Sequence, residues 1–97
     1  MATLITVRRS WLPAKKYVAY FKLPRGILKA VHFGAQGADD YTQTGDLRQR
    51  DRYRARHHHD LVSRDPTTAG YLSYYILWGD STNIRTNIRT YKERFHV

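Results

Sequence analysis

Residues 17–33, YVAYFKLPRGILKAVHF, decide the fold. Their first seven residues are rich in the aromatic and β-branched side chains that suit a pleated surface. Pro24-Arg25-Gly26 then supplies a turn, because proline presets one φ angle and glycine tolerates the tight backbone after it. The run from Ile27 to Phe33 reads as the returning strand, so the segment is a hairpin. Upstream, TLITVRR at 3–9 is a third strand, and Trp11-Leu12-Pro13 with Lys15-Lys16 falls in the connection, where a proline does not interrupt a ladder.

Beyond the hairpin the signals change. GAQGADD at 34–40 ends the strand region with two glycines and two aspartates, residues for positive φ and for side chains that bond nearby backbone. It reads as a turn and not as a phosphate loop, since Asp39 and Asp40 would repel an anion. Asp46 is placed to cap a helix from Leu47 to about Val62. Arg48, Arg50, Arg52, Arg54 and Arg56 alternate strictly there. A strand would crowd all five on one face, whereas a helix distributes them and brings Asp51 within reach of Arg48 and Arg54. Tyr53, Leu61 and Val62 are its expected apolar anchors.

Thr67 or Thr68 is expected to cap a central helix, AGYLSYYILW at 69–78, that is apolar on nearly every side. Gly79 stops it, and Asp80 or Ser81 starts a last helix in which Ile84, Ile88, Tyr91 and Phe95 recur at helical spacing. The repeat NIRTNIRT sets Arg85 and Arg89 as a second stripe beside the apolar one. The predicted fold is therefore α+β in a single domain spanning residues 1–97, a small antiparallel sheet followed by three helices.

Charge bounds the partners. Seventeen Lys and Arg against eight Asp and Glu give a formal +9 on 97 residues. The excess is spread, with seven basic and two acidic residues in 1–45 and ten against six in 46–97. A basic domain of this kind needs an acidic partner. The absence of cysteine excludes disulfide frameworks, thiolate metal sites and cysteine nucleophiles. No apolar run approaches the ~20 residues of a membrane span, and the start of the chain lacks a signal-peptide pattern, so an intracellular chain is expected.

His57-His58-His59 reads as an extension of the arginine surface. Adjacent side chains on a helix point about 100° apart and do not close on one ion, and the run is internal, unlike a purification tag. No metal and no cofactor is expected. The carboxylates form no known catalytic motif, and the combination of His32, Asp39 and Asp40 reads as a strand histidine beside a turn, so a non-enzymatic protein is expected. The binding candidates are Arg48, Arg50, Arg52, Arg54, Arg56, His57, Arg85 and Arg89. They suit either nucleic acid, whose phosphates take arginine forks while bases stack on aromatics, or acidic protein surfaces, where Arg and Tyr anchor interfaces.

Taken together, KKYVAYF, KAVHFGAQGADDYT, RQRDRYRARH, TTAGYLSYYILWG and the closing YKERF resemble a family of short uncharacterised proteins recurrent in nucleocytoplasmic large DNA viruses, with relatives in phages. The similarity runs from about Lys15 to Phe95. Its most specific residues are His32, Phe33, Gly34, Gly37, Asp40, Tyr41 and Thr42, then Arg52, Tyr53, Arg56 and His57, then Ala69, Gly70, Leu77 and Trp78. PRGILKA and TQTGD depart from the family pattern on either side of the VHFG segment. The resemblance implies a viral setting and carries no catalytic residues across. The function expected is that of a minor virion or capsid component, part of a larger assembly, touching acidic surfaces of capsid proteins in the virion and the host-cell interior; the alternative is a nucleic-acid-binding protein for genome packaging or regulation.

Overall fold

The computed structural model describes residues 1–97. Three strands, β1 (Thr3–Arg9), β2 (Lys15–Lys22) and β3 (Leu28–Ala35), form an antiparallel sheet in that order. The hairpin of β2 and β3 is as expected, with both strands displaced by one or two residues toward the Lys15-Lys16 end. At that end the aliphatic stem of Lys16 lies beside Gly34 and its ammonium is buried against Asp40. The tight turn places Arg25 as well as Gly26 at positive φ, +68° and +75°. A bulge between Leu4 and Thr6 lets Leu4 and Val7 both reach the covered face.

Four helices follow, not three. The additional one is α1 (Tyr41–Thr44), a single turn. Asp40 caps it, accepting the Thr42 N–H at 2.9 Å. The composition of GAQGADD shows a turn but gives no sign that its last residue opens a helix. Next, α2 (Leu47–His57) starts from Asp46, whose carboxylate accepts the N–H groups of Arg48 and Gln49. It is shorter than the sequence suggests, giving way to a tight 3₁₀ turn at His58–Leu61. Tyr53 packs against the core from α2 and Leu61 does so from that turn, whereas Val62 lies beyond both and is 77% exposed.

The central segment is helical, though not uniformly. α3 (Ala69–Leu72) widens into a π-helical turn at Ser73–Leu77, closed by the Trp78 N–H on the Ser73 carbonyl. Thr68 stands at its start without using its side chain as the cap, since its hydroxyl donates to the Asp65 carbonyl. Leu72, Ile76 and Leu77 are fully or almost fully buried against Leu4, Ala19, Phe21 and Phe33 of the sheet.

α4 (Ile84–Phe95) is capped by Asn83 and not by Asp80 or Ser81. The identical tetrapeptides therefore do different work. Asn83 accepts the Thr86 N–H, while Asn87, one turn later, is buried and clamps the preceding loop. Its amide donates to the carbonyls of Ile76 and Ser81 at 2.8 and 2.7 Å, and its oxygen accepts the Ser81 N–H at 3.1 Å. Gly79 sits where a Cβ would lie 2.3 Å from the Tyr75 carbonyl oxygen and 2.8 Å from the Asn87 side chain, so the clamp closes only around a glycine. Helices cover one face of the sheet and leave the other open.

Candidate functional site

The five alternating arginines separate into two sets on α2. Arg50 and Arg54, one turn apart, face inward. Arg50 lies 4.9 Å over the Tyr41 ring. Arg54 donates to the Trp78 carbonyl at 2.8 Å and pairs with Asp80 at 3.0 Å, a hydrogen bond that holds the Asp80 carboxyl below its ordinary range. Both guanidiniums are occupied in fixing α2 to the elements beside it. Arg48, Arg52 and Arg56 are exposed, and none of the three takes part in an ion pair. Steps of four residues advance about 6 Å along a helix and stay on one face, so these three form a free stripe. Arg85 and Arg89 are likewise exposed on α4.

His57 belongs to neither set. Its ring stacks on Tyr53 at 4.1 Å, and Tyr53 in turn stacks on Trp78 at 4.4 Å with planes 9° apart. Its Nδ1 lies 3.1 Å from Asp60, whose other oxygen lies 3.1 Å from His59 Nε2. His58 and His59 are exposed, whereas His57 is half-buried in the stack. No three His, Asp or Glu side chains converge in a way that would hold a metal ion.

The stack walls a cleft of about 540 Å³ between the sheet end, α2 and the π turn. Burial of the Tyr53 hydroxyl, reinforced by the Asp60 charge, pushes its pKa up to about 12 despite a hydrogen bond with Ser73 and the charge of Arg56. On the opposite wall Lys16 and Asp40 form an ion pair at 2.7 Å, with side chains only 8% and 2% exposed. Lys16 also donates to the Ala38 carbonyl and to Gln43, and Asp40 accepts both the N–H and the hydroxyl of Thr42, which satisfies the buried charges. Gly34, at φ +81°, leaves room for this pair: a Cβ there would lie 2.8 Å from Leu77 and 3.3 Å from Lys16.

Gly34, Asp40, Tyr53, Arg56, His57, Ala69, Gly70, Leu77 and Trp78 all line this cleft. His32 does not join Asp39 or Asp40; it is bonded to Ser10 on the far side of the sheet, and Asp40 is committed to Lys16. The buried ion pair and the clamp of Asn87 are not legible as sites, because nothing in a sequence shows that a lysine near a strand end turns inward. Trp11 lies in the connection before β2, as Pro13 beside it suggests, but that proline does not indicate which face the indole covers.

Fold and surface define a small basic two-layer α+β domain with a free arginine stripe. The chain belongs to DUF5754, a family of unknown function, whose match spans residues 5–57, from β1 to the end of α2. No curated protein and no solved structure matches it. No helix is long and apolar enough to cross a membrane.

Proposed function

We propose that this protein is a non-enzymatic structural component of a virus particle that docks acidic surfaces of larger capsid proteins through α2. The observation that carries the reading is the division of the arginines. Arg50 and Arg54 fix the helix from within, and Arg48, Arg52 and Arg56 remain as exposed forks without acidic partners. Guanidinium forks suit carboxylates and phosphates alike. The viral setting rests on the resemblance of the VHFG, RYRARH and TAGYLS segments to proteins of large DNA viruses, which implies the virion and the host cell during infection as its locations. Arg85 and Arg89 on α4 add a second exposed contact line.

Replacing Arg48, Arg52 and Arg56 together by Gln tests this. All three are exposed, so unfolding free energy should change little, within about ±0.5 kcal/mol as is usual for surface substitutions. Incorporation into particles should fall several-fold. Unchanged incorporation would sink the proposal. If the stripe instead serves nucleic acid, duplex affinity of the unaltered protein should fall with salt, log K losing about 0.9 per phosphate contact per decade, and the triple variant should flatten that slope.

A further inference from the structure

The open face of the sheet carries a second arrangement. Strand registers place Arg8, Val18 and His32 side by side in one row and Thr6, Tyr20 and Ala30 in the next. Val18 is fully buried although it lies outside the core cluster between sheet and helices. The side chains beside it, Tyr20 and His32, are both packed against Trp11, which folds back from the connection between β1 and β2. The indole meets His32 edge-on at 4.4 Å and stacks on Tyr20 at 6.2 Å with planes 26° apart. Ser10 steadies this connection, bonding His32 Nδ1 at 2.8 Å and accepting the Leu12 N–H at 3.0 Å. Trp11 is thus held by its neighbours, yet 62% of its surface meets solvent.

The charge around it is of one sign. Residues 1–38 contain seven Lys and Arg and no Asp or Glu. Lys16 and Lys29 turn to partners in the helical layer or its approach, Asp40 and Thr67. Arg8, Arg9, Lys15, Lys22 and Arg25 are left, all exposed. Arg8 shares the row of Val18, and Lys22 shares the row beyond Tyr20 with Leu28.

We propose that this open face binds single-stranded nucleic acid, with bases stacking on Trp11 and Tyr20 and phosphates held by Arg8 and Lys22. The combination selects the occupant. An apolar protein surface would leave the cations unmatched, and an acidic one would leave the indole without a flat partner. A single strand offers phosphates and free base faces together, whereas a duplex keeps its bases stacked on one another. The site lies on different elements from the α2 stripe and goes beyond the capsid reading, so either can fail alone.

The test is fluorescence titration with a single-stranded oligothymidylate and, separately, with a duplex of equal length. Trp78, the other tryptophan, is 7% exposed, so quenching reports on Trp11. Quenching by the single strand, weakened by salt, is expected. Trp11→Ala should lower affinity roughly five- to a hundredfold, the range for loss of one base-stacking contact, while Trp11→Phe retains most of it. Arg8→Gln with Lys22→Gln should weaken binding and reduce its salt slope, which reads the site independently should Trp11→Ala disturb the fold. Retention of quenching by the Arg48, Arg52, Arg56 triple variant would separate this site from α2. Absence of quenching, equal affinity of the Trp11→Ala protein, or equal quenching by the duplex or by polyglutamate would overturn the proposal.

Discussion

Lys16 shows how one residue ties the two halves of the chain. Its partner Asp40 lies 24 positions later, past β3, and both are buried. Removing one member of such a pair leaves a charge without water or partner, which costs about 3–5 kcal/mol. Lys16→Met should therefore lower unfolding free energy by that amount in urea titrations, and more than Lys15→Met, since Lys15 is exposed. At the same scale the sequence is readable where chemistry is local. Asp46 as a cap follows from its place before a helix-forming run, and the structure agrees. Asp40 as a cap and ion-pair partner depends on a lysine on another strand, which local reading does not reach.

Among the elements, legibility follows the strength of the periodic signal. β1 and the body of α4 fall where the β-branched run and the steps from Ile84 to Phe95 put them. α3 is harder because an apolar segment buried on nearly all sides has no period to distort, so the π turn at Ser73–Leu77 leaves no trace in its pattern. The amide of Asn87 holds that turn to the start of α4 with three hydrogen bonds. Asn87→Ala leaves two carbonyls and an N–H unpartnered in a buried site, a cost of roughly 2–4 kcal/mol. Calorimetry checks it, and hydrogen exchange should show faster exchange at Ser81 with β2 protected as before.

For the molecule as a whole, pH exposes what burial holds in place. Tyr53 has its pKa pushed up to about 12, and burial likewise raises those of Tyr71 and Tyr91. An unfolded tyrosine loses its proton near pH 10. Above that pH the folded state holds more protons than the unfolded one, so stability falls as pH rises from about 10 toward 12. On the acid side, Thr67 holds the Asp65 carboxyl low and Arg54 holds that of Asp80 low. Their contribution is complete above the ordinary carboxylate range and disappears as pH drops through the depressed values. Melting curves across alkaline pH, tracked with tyrosinate absorbance, should show unfolding and ionisation of Tyr53 together; Tyr53→Phe should shift that transition upward in pH.

The partition of charge between the layers also governs how the molecule meets anything. All eight acidic residues lie after residue 38, where they face ten basic ones, while the segment before it carries seven basic residues alone. Positive charge is thus displaced toward the sheet, and the protein is an electric dipole as well as a cation. In the field of a polyanion a diffusing dipole is turned before it touches. Encounters at low salt are therefore biased to begin with the sheet leading and the helices trailing, an orientation fixed in solution ahead of any contact.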